Sequence, residues 1–346
     1  MDKNRDGKVT MSDIAEELDI SKNAVSLALR GKSGVSEALR RKIIDTARAM
    51  GYQGFIPESE NCCIVALVPE YIYRDVYFYS EIFWAVEQET RSLGHTLVTL
   101  SVSAQIQEAL TLPQLPTELN ILGMLTIGVF NRPYLAKLKE TGIPLVSVDI
   151  AYNEIDIPSV CSSNLSGGYR AVEHLIKNGH SEIGFIGPIH AAQSIYERWC
   201  GYQKAMQEYH LPVNPACSIL GDLEHFQLLD SPEVLAPYVN ALRRFPDAWF
   251  CAGDRIALSL MNILSGKGID IPGTVSVIGF DDLDFGKFSM PPLTTMRVDR
   301  RAMGQAAVQL LTGEKRFLKG EAAGAYTLSL STRLIERESV KNRTRI

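Results

Sequence analysis

No apolar run in the sequence approaches the roughly 18 residues that span a bilayer, and the opening MDKNRDGK has no apolar core of the kind a signal peptide needs. The chain is therefore expected in the cytoplasm, with no membrane partner. Cysteine is sparse and unpatterned. The six fall at 62, 63, 161, 200, 217 and 251, none in a C-x-x-C, and several sit in apolar, strand-like runs. That spacing argues against a disulfide framework and suits buried, reduced thiols. Cys62-Cys63 near a domain junction reads as two small hydrophobes leading into a strand rather than as a redox pair.

Enzymatic signatures are missing too. Gly266-Lys267-Gly268 lacks the earlier Gly and the Ser/Thr of a phosphate-binding loop, no G-x-S-x-G or H-E-x-x-H occurs, and the six His have no close metal-ligand spacing. Asp281, Asp282 and Asp284 read as a turn with solvated acids, not a metal cluster. Asp2, Asn4, Asp6, Gly7 and Asp13 do follow the spacing of a calcium loop, with Asp in place of its final Glu. Only Met1 stands where the entering helix would have to be, and Asp13 is needed inside the first helix, so calcium is not expected. No catalytic residue, metal or cofactor is expected anywhere in the chain.

What remains is a globular sequence of 346 residues, 46% hydrophobic, long enough for a small head and one large or two medium domains. Net charge is −5, unevenly placed. Residues 1–57 hold ten Lys/Arg and eight Asp/Glu, a net of +2, against 25 and 32 beyond them, a net of −7. The asymmetry suits a nucleic-acid-binding head on an acidic body, although it is mild.

The stretch from Thr10 to Tyr52 predicts three short helices. Thr10 and Asp13 form a capping box ahead of Ile14, Ala15 and Leu18. After a corner at Asp19-Ile20, Ser21 caps a second helix whose Val25 and Leu29 share a face, leaving Lys22, Asn23, Ser26 and Arg30 outward for base edges or phosphates. Ser36 caps a third helix with Leu39, Ile43, Ile44, Ala47 and Met50 inward and Arg40, Arg41, Lys42 and Arg48 mostly outward. A corner of about three residues is the length of a helix-turn-helix.

From Ile64 the texture becomes strand and helix in alternation: IVALVP (64–69), HTLVTL (95–100), ILGMLTI (121–127) and IPLVSVD (143–149), then SVCSS (159–163), EIGFIG (182–187), SIL (218–220), AWFCAG (248–253) and VSVIGF (275–280). Nearly continuous apolar strands separated by helices imply parallel sheets covered on both faces, in two α/β lobes. A ligand between such lobes lies beyond the carboxyl ends of the strands. Asp149, Asp254 and Asp281 each follow a strand there. Asp254, before Arg255-Ile256-Ala257, reads first as the cap of the next helix and second as an effector contact. Arg198 offers a fork of donors for a carboxylate, a phosphate or a vicinal diol, or else pairs with Glu197 or another surface acid. Phe78 and Tyr79 suit core or cleft alike.

The ordered motifs Asp13-Ile14-Ala15, Ile20-Ser21-x-x-Ala24-Val25-Ser26-x-x-Leu29 and Val35-Ser36-x-x-x-Arg40, closed by Gly51-Tyr52, resemble the DNA-binding head of the LacI/GalR family of transcriptional regulators. Asp19 stands where that family usually has Gly. The likeness continues to about residue 335 through Glu173-His174-Leu175, Gly179-His180, Arg198-x-x-Gly201-Tyr202, Val275 to Asp281 and Pro291-Pro292-Leu293-Thr294-Thr295. It implies an α/β protein: a helix-turn-helix head (1–52), a linker (53–63) and a two-lobed, periplasmic-binding-protein-like effector-binding and dimerisation body (64–346). Lobe one is expected over 64–157 and 286–318, and lobe two over 158–285 and 319–336.

The resemblance also implies a homodimer on a double-stranded, pseudo-palindromic operator, with a sugar-like effector between the lobes. Lys22, Asn23, Ser26 and Leu27 match positions that enter the major groove, many relatives carrying Arg where Leu27 stands. Arg30 joins this DNA-facing set, and Thr10, Ser21 and Ser36 would hold phosphates. Asp149, Arg198 and Asp281 match effector-contacting positions, and Phe78-Tyr79 an aromatic pair over the ligand. Departures are Gly253 for a frequent Asn, Leu223 for a stacking aromatic, Ser163 for the usual Asp before Asn164, and a linker lacking the A-R-x-L of a DNA-wedging hinge helix. The other reading is a sugar-binding protein or sugar-acting enzyme whose N-terminal helices are only an interaction module.

Overall fold

The structure is a computed structural model, and it describes residues 9–29, 34–52, 62–74, 76–115, 120–152, 154–221, 231–313 and 326–344. Contacts divide the chain into two units, residues 1–62 and 63–346. Arg30, Leu223, most of the linker, crossing position 318 and the calcium-like Asp2, Asn4, Asp6 and Gly7 lie outside the described residues.

In the first unit, α1 (Met11–Glu17), α2 (Lys22–Leu29) and α3 (Glu37–Ala49) enclose a core of Ile14, Ala15, Val25, Ala28, Leu29, Ile43 and Ala47. Each helix starts where a hydroxyl precedes it. The Thr10–Asp13 capping box closes in both directions, Ser21 Oγ accepts from the Ala24 amide at 3.1 Å, and Ser36 Oγ accepts from the Leu39 amide at 3.3 Å. Asp19 takes the left-handed conformation at the corner, with φ of 51°. Arg40, expected outward, instead turns its guanidinium onto the Leu27 and Ala28 carbonyls at 3.3 and 3.1 Å. It thereby satisfies acceptors that the end of α2 leaves without helical partners.

The second unit contains two sheets. The first has six strands among the described residues, in the order β10-β5-β4-β3-β1-β2, with β1 (Cys62–Pro69) parallel to β2 (Thr96–Val102), and β3 (Asn120–Ile127), β4 (Leu145–Val148), β5 (Ser159–Ser162) and β10 (Thr327–Leu330) parallel to one another. Strand alternation sorts β1 into two faces. Ile64, Ala66 and Val68 join the core shared with Ile82 and Val86 of α4 (Val76–Ser92) and with α12 (Arg300–Leu311). Cys63, Val65 and Leu67 join the core under α6 (Arg132–Lys139), so the two neighbouring cysteines point to opposite faces.

The second sheet runs β11-β9-β8-β7-β6, with β6 (Ile183–Ile186), β7 (Ala248–Cys251), β8 (Ser276–Asp281) and β9 (Thr294–Arg297) parallel and β11 (Arg333–Ile335) antiparallel to β9. Helices α7 (Asn164–Lys177), α8 (Gln193–Glu208) and α10 (Asp254–Gly266) pack against this lobe. The SIL strand shrinks to one bridge, between Ile219 and Ile186.

Lobe boundaries differ from those expected. The chain leaves the first lobe after β5, near 163 rather than 157, because β5 pairs with β4 before it departs. It returns near 299 rather than 286, since β9 still belongs to the second sheet and α12 packs on α4. Residues 327–335, expected wholly in lobe two, hold two strands in different sheets. β10 completes the first and β11 the second, with the crossing at Ser331-Thr332.

Candidate functional site

Both sheets direct the carboxyl ends of central strands at one cavity of about 270 Å³ in the second unit. Asp149 follows β4 and Asp281 ends β8. They adopt φ of 77° and 111°, conformations uncommon for residues with a side chain and frequent where a chain is held for function. Tyr79 in the first turn of α4 donates to Asp149 Oδ2 at 3.0 Å. Phe78 meets Tyr79 edge to face, with ring centroids 5.0 Å apart. Both rings are buried in the core and also line the cavity, so the two readings of this pair coincide.

Arg198 reaches the cavity from α8. Its position depends on a close approach of α7 and α8, where a Cβ on Gly168 would lie 2.4 Å from the Arg198 carbonyl oxygen. Its Nε donates to Asn164 Oδ1 at 3.0 Å, and one Nη donates to the Ala252 carbonyl. Nη1 also lies 3.2 Å from Asp281 Oδ1, and the guanidinium sits 3.8 Å from the Phe280 ring centre. A planar cation fixed on four sides presents its remaining donor surface in one orientation.

Asp254 departs from its expected role. It is fully buried, is absent from the cavity wall, and makes no side-chain cap on α10. Its carboxyl instead accepts from the Leu283 amide at 2.7 Å and meets the Thr295 hydroxyl at 2.5 Å, tying the turn after β8 to β9. Burial, and then the neighbouring charge of Asp281, push its pKa well above the ordinary carboxylate value. Nor is the turn at Asp281, Asp282 and Asp284 simply solvated. Asp282 is buried and bound by Arg297, at 2.6 Å, and by Arg337.

Tyr71, Ser194 and Arg255 also line the cavity and were not anticipated. Tyr71 lies in the 3-10 turn just after β1, so its position beyond a strand was the available signal. Its hydroxyl accepts from the Val129 amide at 2.7 Å, and burial raises its pKa. Gly253, extended at φ −159°, leaves room where a Cβ would come within 3.2 Å of Asp281 Oδ2.

In the first unit, Lys22 and Asn23 are exposed on the first turn of α2, with Ser26 and Leu27 half-buried. The Thr10 hydroxyl is committed to Asp13, donating at 2.8 Å. Ser21 and Ser36 only accept in their caps.

Fold and site together define a two-lobed α/β body with a cavity between its lobes, in a chain that also carries a helix-turn-helix unit. A family profile described as a periplasmic binding protein-like domain matches residues 172–340. The chain is 28% identical over 353 residues to the HTH-type transcriptional repressor CytR of Escherichia coli, covering 98% of each. By structure it is similar to a transcriptional regulator CelR-cellobiose complex (TM-score 0.66, 23% identity, 96% of this chain and 100% of that one). A lac repressor dimer bound to operator and the anti-inducer ONPF scores 0.66 at 22% identity, over 96% and 99%. Along nearly its whole length the chain is therefore similar to LacI-family transcriptional repressors.

Proposed function

We propose that this chain is a repressor that binds its operator as a homodimer and that a small polar effector, a sugar or sugar derivative, occupies the cavity between the lobes and controls that binding. One observation carries the reading. Asp149 from the first lobe and Asp281 with Arg198 from the second face one cavity, so a polyhydroxylated ligand would be bonded from both sides at once. Such a ligand holds the lobes together, which makes lobe closure a two-state element that ligand can bias. The similar CelR structure holds cellobiose.

On the DNA side, Lys22, Asn23, Ser26 and Leu27 would face base edges in the major groove. Ser21 and Ser36 can donate their hydroxyl hydrogens to phosphates while accepting in their caps. Thr10 contributes through its place at the start of α1, and Arg30 completes the proposed set. Residues 53–63 would serve as linker and 64–346 as effector-binding and dimerising body. Trp84, Phe288 and Met290, exposed by 63, 83 and 93%, give that body apolar surface suited to self-association.

An electrophoretic shift on the DNA around the chain's own gene, with and without sugars, tests the proposal. A sequence-specific, salt-sensitive complex whose affinity responds to one sugar is expected. DNA binding that no sugar, sugar phosphate or nucleobase alters would overturn the effector half.

A further inference from the structure

Behind the cavity, one cation joins the two lobes. Arg300 opens α12 immediately after the second crossing, with its side chain only 10% exposed. Its Nε binds Glu81 of α4 at 2.7 Å. Its two Nη groups donate to the main-chain carbonyls of Asp281, at 2.5 Å, and Asp282, at 3.5 Å. Those carbonyls belong to consecutive residues with positive φ, 111° and 56°. The Phe78 ring lies 5.7 Å from the same guanidinium. Beside it Tyr77 of α4 meets Phe285 of α11 (Asp284–Phe288) edge to face, with centroids 4.1 Å apart.

We infer that Arg300 is the positioning residue of the effector site: it holds the strand end bearing Asp281 against the helix bearing Phe78 and Tyr79, and so sets the separation of the lobes before any ligand arrives. The chemistry follows from the donors available. Guanidinium has a planar fork, and this one spends it on acceptors from both lobes, a carboxylate of the first and two carbonyls of the second. A lysine could satisfy one side but not both. Each carbonyl turned toward Arg300 fixes the peptide from which the Asp281 carboxylate projects into the cavity. The pair of left-handed residues is thus kept in place by a group from the opposite lobe. Effector contacts to Asp281 and effector contacts to Tyr79 and Asp149 would then be coupled through Arg300. That consequence rests on the effector reading of the cavity, whereas the latch itself does not.

Ligand-free hydrogen exchange on the full chain tests the latch independently of any effector. In R300M, exchange should rise about ten-fold or more in two segments at once, 280–284 at the end of β8 and 76–82 at the start of α4, with the rest of both sheets unchanged. R300K should restore protection in only one of the two segments. E81Q, at a site 47% exposed and so safe for folding, should raise exchange in 76–82 by about three-fold and leave the Asp281 and Asp282 contacts in place. Unchanged exchange at 280–284 in R300M, an increase spread evenly over the body, or full rescue by lysine would each overturn the assignment. If R300M does not fold, an E81Q profile identical to that of the parent has the same force.

Discussion

Nη1 of Arg198 lies 3.2 Å from Oδ1 of Asp281, while the guanidinium rests on Phe280, the residue just before that aspartate. The cation is thereby fixed to the strand end whose carboxylate it neutralises, and each orients the other for a ligand. R198K keeps the charge but loses the fork. It should leave operator affinity without effector unchanged and weaken the effector response by about ten-fold or more, the worth of one or two charged hydrogen bonds. A dose-response curve of operator release, run beside an effector-free binding isotherm, checks both parts. An unchanged response would remove Arg198 from the site.

Asp254 and Asp281 show how one sequence context yields two electrostatic fates. Asp254 titrates at higher pH in the folded chain than in the unfolded one, so folding takes up protons there, and its contribution to stability falls as pH rises above about 3.8. An asparagine reproduces the protonated acid, accepting from the Leu283 amide and donating to Thr295. D254N should therefore melt at or above the parent temperature at pH 7.5, with the gap closing toward pH 4. D254A, losing both bonds, should cost about 2 kcal/mol or more. Melting curves across pH decide the matter, and a D254N variant several degrees less stable at pH 7.5 would contradict the assignment.

Asp282 has the opposite sign. Burial works against its charge, but hydrogen bonds and charge from Arg337 and Arg297 outweigh it and hold the pKa below the ordinary 3.8. Its stabilising contribution is complete above that value and is lost as pH falls through the lower, folded-state pKa. D282N should cost about 3 kcal/mol at neutral pH, the scale for stranding a partly buried ion pair. Acid unfolding below about pH 4 should also become less steep in D282N. Denaturant titrations at pH 3 and pH 7 measure both effects.

In the helix-turn-helix unit, stability and recognition fall on adjacent residues. S21A removes the cap on the Ala24 amide and should cost about 1 kcal/mol of stability in this unit. N23A, on an exposed side chain, should leave melting unchanged and cost about 1 to 3 kcal/mol at a single operator base pair. Circular dichroism melts paired with binding to operators substituted one base pair at a time separate the two. A uniform loss over all positions in N23A would assign Asn23 to a phosphate instead.

Local features were legible and long-range ones were not. Caps at Thr10, Ser21 and Ser36 and the left-handed Asp19 depend on neighbours within a few residues, and the alternation of β1 between two faces follows from its apolar run. Arg198, on α8, stood out by its fork of donors and the family resemblance, whereas the positions of Asp149 and Asp281 beyond strands pointed to the cavity they line. The same rule misread Asp254, because whether an aspartate enters the cleft or turns beneath the next loop was decided by Thr295, 41 residues away. The crossings were misplaced because β5 is completed by β10, with Ser159 opposite Thr327, a pairing no local pattern announces. Arg300 had no signal at all, since its carboxylate partner Glu81 is 219 residues distant.

The central claim is that occupancy of the cavity between the lobes changes operator affinity, and its most direct test is an operator-binding isotherm by fluorescence anisotropy. It would be run with and without the sugar, sugar phosphate or nucleobase that most raises the melting temperature, for the parent and for D149N. Asparagine tolerates the left-handed backbone of Asp149 and can still accept from Tyr79, so the variant changes the charge alone. The parent should shift its operator Kd by about 5- to 150-fold with saturating ligand. D149N should keep the ligand-free Kd and lose most of that shift. A parent Kd indifferent to a bound ligand, or a D149N that responds as the parent does, would contradict the account.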